Sequence, residues 1–259
     1  YTKAIAIKPN FAETYNNMGV TLKEQGKLEE AVEAYNKAIA IKPDYADAYY
    51  NMGNALKDQG MLEEAIEAYN KALLLKSDYA AEAYYNMGVT LKEQAKPEEA
   101  IEAFTKAISI KPDYADAYLN MGSALKGISF NKANKPVEDA IIAILDSKAM
   151  VRPRDISLAA LSLVKSQPQF KDMLSSEVSR KFEHTFEETV EKLSKIPLLL
   201  KLMSVCPLPD LDCERFLSGL RSNIMRNIAD INVSSSLLKL QSALALQCFT
   251  NEYVYDLNE

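Results

Sequence analysis

Tryptophan is absent from the 259 residues, and histidine occurs once, at His184. One imidazole cannot furnish a multi-histidine metal site, and a nucleophile–base pair would have to be built on His184 alone. Beside Glu183 and Glu187, its expected role is that of a surface or half-buried side chain. Cysteine is scarce: Cys206, Cys213 and Cys248 are the three, with no paired short spacing. That pattern indicates neither a disulfide framework nor a zinc ligand set. The thiols are expected to pack as small apolar groups in a reduced, cytoplasmic chain. Glycine almost vanishes after Gly127, Gly219 being the exception, and no Gly-rich phosphate loop occurs.

Long apolar runs are missing as well. The most apolar stretch, Ile196 to Val205, is interrupted by Lys201 and amounts to about half a membrane span; a buried helix is expected there, and no membrane partner. Basic excess is lacking, the formal net charge being −6. Non-specific nucleic-acid binding needs a basic surface, so nucleic acid is not an expected partner. Asn232-Val233-Ser234 is formally a glycosylation triplet, expected to be chance in a cytoplasmic chain. No cofactor is expected.

What the chain does have is self-similarity. Ala12 to Tyr45 reads AETYNNMGVTLKEQGKLEEAVEAYNKAIAIKPDY, and close copies follow over residues 46–80 and 81–114. Gly19, Gly53, Gly88 and Gly122 mark the register at spacings of 34, 35 and 34, the odd step coming from one extra alanine in the Ala80–Ala81 pair. Self-similarity at this period indicates a solenoid of helical hairpins. In the first copy Tyr15, Met18, Gly19 and Leu22 fall on one helix face. Gly26 ends that helix, Ala31, Tyr35 and Ala38 stripe a second, and Pro43 stops it. Gly19 sits mid-helix, where it costs about 1 kcal/mol relative to Ala. A cost repeated at one phase implies that another helix comes very close there. One hairpin cannot bury its apolar face alone, so each needs neighbours.

These residues resemble the tetratricopeptide repeat family, with Tyr where that family usually has Trp. The resemblance implies an all-α chain: a right-handed superhelical solenoid of hairpins followed by a non-repeat helical domain. Residues 1–126 form the expected array: a partial repeat (1–11), full repeats 12–45, 46–80 and 81–114, and the start of a fourth (115–126). Tyr1 to Pro9 match Tyr35 to Pro43, so the chain is expected to begin inside a second helix, cut from a longer array. The exposed edge, with Ala4, Ile5 and Ile7, could support self-association. Residues 127–153 are expected to be a degenerate last hairpin, with a helix over Val137 to Met150 and Pro153 near its stop. Residues 154–259 are expected to be a helical domain. There Asp155 is the expected N-cap of a helix to Ser166. Further helices carry Phe182, Phe186, Val190 and Leu193; Pro197 to Cys206; Leu217, Leu220, Ile224 and Ile228; and Ser234 to about Phe249.

The runs KPVEDAIIAILDSKAMVRPRDIS, IPLLLKLMSVCPLPDL and LQSALALQCFTNEYVY are similar to a helical middle segment in a group of bacterial proteins. In those, repeats precede an S-adenosylmethionine-dependent methyltransferase domain. That family's glycine-rich strand-turn-helix has no counterpart in the sequence here, so no residue of methyl transfer carries over. The resemblance implies at most a substrate-recruiting part of such an enzyme.

The candidate functional surface lies on the first helices, away from the core stripe. There Glu13, Asn17, Val20 and Glu24 recur as Asp47, Asn51, Asn54 and Asp58, as Glu82, Asn86, Val89 and Glu93, and as Asp116, Asn120 and Ser123. Each set runs i, i+4, i+7, i+11, so stacking aligns them into ladders. In the tetratricopeptide family this face lines the concave groove. An Asn amide offers donor and acceptor together, and Asn17, Asn51, Asn86 and Asn120 resemble the asparagine ladder in the repeats of protein O-glycosyltransferases. Tyr50 and Tyr85 are candidate apolar anchors. The flanking acids favour an extended, neutral to basic protein or peptide segment, with Lys23, Lys57, Lys92 and Lys126 set one helical step aside. The lysine-lined groove by which chaperone-binding members of the family grip an acidic C-terminus is not expected, because Asn16, Tyr50, Tyr85 and Leu119 stand at those positions. Glu29-Glu30, Glu63-Glu64 and Glu98-Glu99 open the second helices, where carboxylates favour the helix N-terminus and form no general acid/base pair. The expected function is a non-catalytic protein-interaction scaffold.

Overall fold

The structure is a computed structural model that describes residues 11–75, 78–146, 151–178, 186–226 and 234–255. Ala4, Ile5, Ile7, Phe182, His184, Ile228 and Asn232 lie outside that set; for Phe186, Ile224 and Cys248 only the backbone is described. Among the described residues every regular element is a helix. Two compact units divide the chain, Tyr1–Ala124 and Leu125–Glu259.

The first unit is a helical-hairpin solenoid. Its hairpins are α1 (Ala12–Glu24) with α2 (Leu28–Ile41), α3 (Ala46–Asp58) with α4 (Leu62–Leu74), and α5 (Ala80–Glu93) with α6 (Pro97–Ile110); α7 (Ala115–Leu125) follows. Each hairpin turns through a helix stop with a left-handed residue. At the first, Gly26 has φ 75°, the Lys27 N–H bonds Leu22 O at 2.9 Å, and the Gly26 N–H bonds Lys23 O at 2.9 Å. This is the Schellman pattern, which settles the orphan carbonyls of a helix end. Gly60 repeats it at φ 80°, and Ala95 does so at φ 58° without glycine's freedom.

Packing inside each hairpin follows the register glycines. A Cβ placed on Gly19, Gly53 or Gly88 would lie 2.5, 2.7 and 2.7 Å from Cε1 of Tyr35, Tyr69 and Phe104. The glycines let a fully buried ring of the second helix lie on the first helix's backbone, which is the close contact their phase implied. Two stripe positions differ from expectation. Tyr15 and Met18 are only half-buried, whereas Thr14, Ala48, Ala83 and Ala117 are buried at a position the stripe omits. α3 and α5 are each enclosed on two sides, by their own second helix and by the preceding hairpin, so Ala48 and Ala83 on a second face go under.

The second unit contains α8 (Lys135–Asp146), α9 (Pro153–Ser166), α10 (Pro168–Val178), α11 (Phe186–Ser194), α12 (Pro197–Val205), α13 (Leu211–Arg226) and α14 (Ser235–Tyr255). The apolar run becomes α12, which buries Leu198, Leu199, Leu202 and Met203 against α8, α9 and α14. Phe170 meets Phe216 edge-on at 6.2 Å between α10 and α13. Two boundaries correct the sequence reading. Pro153 opens a helix rather than closing one, and the N-cap is Arg152, with Asp155 in the first turn. The fixed φ of proline suits the first helical position, which moves the start upstream of the carboxylate. Asp210 and Ser234 do cap, accepting from the backbone N–H of Cys213 at 2.9 Å and of Leu237 at 3.1 Å. Cys206 and Cys213 are buried and free; burial pushes their thiols up to about 11 and about 12, Asp210 adding to the second.

Candidate functional site

The ladder residues form hydrogen bonds from one hairpin to the next. Asn51 Nδ2 donates to Asn16 Oδ1 at 3.1 Å. Asn86 Nδ2 donates to Asn54 Oδ1 at 2.8 Å and to the Tyr50 hydroxyl oxygen at 3.3 Å. Asn120 Nδ2 donates to the Tyr85 hydroxyl oxygen at 3.2 Å and to the Asp116 carbonyl at 3.0 Å. An amide carries two N–H groups, so Asn86 and Asn120 use both internally and Asn51 uses one. The sequence reading had these amides presenting donor and acceptor to a ligand; stacking instead brings each within reach of the position one residue before its counterpart in the preceding hairpin. Asn17, on the first hairpin, is exposed and outside this chain of bonds.

The oxygens are spent differently. Asn120 Oδ1 accepts from Lys92 Nζ at 2.8 Å, and Asn54 Oδ1 accepts from both Asn86 and the Tyr69 hydroxyl. The Oδ1 atoms of Asn51 and Asn86 accept no hydrogen bond from the described residues.

Tyr50 stacks on Tyr79 at 5.2 Å and 11° between planes, and tilts against Tyr69 at 6.2 Å. Tyr85 has the equivalent partners, Tyr114 at 4.9 Å and Phe104 at 6.0 Å, but is tilted against Tyr114 by 38° rather than stacked. Tyr79 and Tyr114 close the repeated sequences KSDY and KPDY, which could have marked them beforehand; the pattern at 76–79 and 111–114 matches the one at 42–45. Burial raises the phenols of Tyr50, Tyr85 and Tyr114, the last to about 12. All three stay neutral across the working pH range and bond as hydroxyls.

Charge on this face is mostly acidic. Glu13, Asp47 and Asp116 carry no ion pair among the described residues, while Glu82 meets Lys111 at 3.2 Å. Lys111 also lies 4.8 Å from the centre of the Tyr114 ring. Lys23 is drawn to Asp58 at 2.8 Å. The uncommitted acceptors of this face are therefore the carboxylates of Glu13, Asp47 and Asp116 and the amide oxygens of Asn51 and Asn86, among the described residues.

Among the described residues no group of three His, Cys, Asp or Glu is placed to hold a metal ion, and no helix is long and apolar enough to cross a membrane. Family models described as Tetratricopeptide repeat match residues 1–33 and 44–113, and one described as TPR repeat matches residues 21–60. None of the curated proteins compared with the chain matches it. Among solved structures, MamA is 30% identical with TM-score 0.48, the match covering 56% of this chain and 80% of that one. YrrB, a TPR protein with an unusual peptide-binding site, is 20% identical with TM-score 0.48, covering 85% and 97%. The first TPR of Spaghetti (RPAP3), bound to the HSP90 peptide SRMEEVD, is 22% identical with TM-score 0.42, covering 44% and 89%.

Proposed function

The chain belongs to the tetratricopeptide repeat family through residues 1–113, and on that premise we propose that it is a non-catalytic interaction module acting in the cytoplasm. Its first-helix face holds an extended, neutral to basic segment of a partner protein. The observation that carries this is the lopsided state of the ladder: both N–H groups of Asn86 are committed to the preceding hairpin and those of Asn120 to Tyr85 and to the Asp116 carbonyl of its own helix, while the Asn51 and Asn86 oxygens accept nothing from the described residues. A surface that keeps acceptors, with the carboxylates of Glu13 and Asp47 near the same ladder, suits a ligand rich in N–H donors. Tyr50 and Tyr85, each fixed against a second ring, give two apolar platforms one repeat apart.

Fluorescence anisotropy with labelled, unstructured lysine-rich and glutamate-rich peptides tests the reading. Binding of the first, weakened about tenfold in Asn51→Ala plus Asn86→Ala, is expected; equal indifference to both peptides would refute it. The alternative, a substrate-recruiting part of an S-adenosylmethionine-dependent methyltransferase, rests on the wording of residues 127–255 alone. Heat of binding on titrating S-adenosylmethionine would favour it.

A further inference from the structure

A second surface, on the opposite helices of the same solenoid, has the form of a docking site. A groove of about 530 Å³ lies between α2 and α4 with α3 as its floor, and one of about 500 Å³ lies between α4 and α6 with α5 as its floor. The two linings agree in register: Tyr49, Met52 and Leu56 floor the first, and Tyr84, Met87 and Leu91 the second. None of these contacts is a ladder residue of the first-helix face.

Leu74 lines both grooves and is 77% exposed. Its repeat counterparts are Ala40 and Ser109. The one large hydrophobe at this position therefore sits where the two grooves meet, on the ridge between them. The rims carry glutamates three apart, Glu64 with Glu67 and Glu99 with Glu102. Glu67 and Glu102 lie beyond the first turns of α4 and α6, so the helix N-terminus does not account for them. Lys71 and Lys106 are the rim cations, and Lys106 lies over the Tyr84 ring, 5.3 Å from its centre. Acids thus outnumber lysines by two to one along each groove.

We infer that the two grooves bind a basic amphipathic segment of a partner protein. One apolar side chain enters each groove across Leu74, and lysines or arginines face the paired glutamates. Apolar burial supplies affinity and the rim charges select the partner.

The probe is a fluorescein-labelled amphipathic helix made only of leucine and lysine, with a glutamate-for-lysine and a serine-for-leucine version as controls. Intact chain is expected to bind the first at least about tenfold more tightly than the serine version, which only the first-helix face can take up, and not to bind the glutamate version. Leu74→Ser is expected to weaken binding about tenfold, as loss of one buried leucine contact does, and Glu67→Lys plus Glu102→Lys to abolish it. All three positions are exposed, and unchanged far-UV circular dichroism confirms that the variants fold. Asn51→Ala plus Asn86→Ala is expected to leave binding intact, which separates this surface from the first-helix face. Unchanged affinity in Leu74→Ser overturns the site, and unchanged affinity in the double glutamate variant overturns the basic occupant.

Discussion

The Tyr69 hydroxyl donates to Asn54 Oδ1 at 2.9 Å, while the Tyr35 hydroxyl, at the same repeat position, is buried with no partner among the described residues. The difference lies in the facing residue: Asn54 is replaced by Val20 opposite Tyr35, and by Val89 opposite Phe104, where the ring has no hydroxyl to satisfy. The first hairpin keeps a polar group whose acceptor is missing. An unsatisfied buried hydroxyl costs about 1–3 kcal/mol, whereas a made hydrogen bond contributes about 1 kcal/mol. Tyr35→Phe is therefore expected to raise the thermal midpoint, and Tyr69→Phe to lower it. Thermal melts followed by circular dichroism at 222 nm decide the point; the same sign for both substitutions would contradict it.

Ala95 occupies the left-handed turn position that glycine fills at Gly26 and Gly60, with φ 58°. A non-glycine residue there costs about 1–2 kcal/mol in Cβ sterics, and glycine gives back about 0.4–1 kcal/mol through a freer unfolded chain. Ala95→Gly is expected to stabilise the third hairpin by about 0.5–1 kcal/mol net. Urea unfolding should show a higher midpoint with the slope unchanged.

How far the sequence reached depended on whether a feature lived within one helix or between stacked ones. The hairpins, their glycine-marked ring contacts and the all-helical second unit follow from periodicities of a few residues, and all were legible. Of the amide ladder, Asn51, Asn86 and Asn120 were legible, but not the bonding, which takes in Asn16 rather than Asn17. That Asn86 meets Tyr50 and Asn54 depends on the offset between neighbouring hairpins, which no helical wheel contains. Tyr79 and Tyr114 escaped notice because they lie outside the first-helix stripe, although their repeated KSDY and KPDY context was visible. The cap expected at Asp155 failed because a proline two residues earlier starts the helix first. The paired grooves around Leu74 needed the packing of three helices before a lone exposed leucine acquired meaning.

Gly53 carries a contact that alanine cannot share, since its Cβ would lie 2.7 Å from Tyr69 Cε1. Alanine raises helix propensity by about 1 kcal/mol, yet forcing a methyl into a packed site costs about 1–3 kcal/mol. The ring is fully buried and hydrogen-bonded to Asn54, so it cannot swing away cheaply. Gly53→Ala is expected to destabilise on balance, and Gly53→Ser more so. Melting temperatures equal to or above that of the parent chain would mean that the second hairpin opens without cost.

In the second unit, Lys165 Nζ donates to Asp210 Oδ2 at 2.6 Å, and the Cys213 N–H donates to Asp210 Oδ1. Burial opposes ionisation of Asp210, but the bonds from Lys165 and Cys213 outweigh it and hold the carboxyl below its usual range. The same bond raises the Lys165 ammonium against its own burial. A depressed carboxyl contributes stability above its unfolded value of about 3.9 and loses it as pH falls through the folded value. A raised lysine contributes below about 10.4 and loses its contribution as pH rises through the folded value. Asp210→Asn is therefore expected to lower the melting temperature at pH 6 and to flatten its decline between pH 5 and pH 2. Asp210 also helps to raise the Cys213 thiol, after burial itself. Parallel pH profiles for parent and variant would show that the pair does not act through its charge.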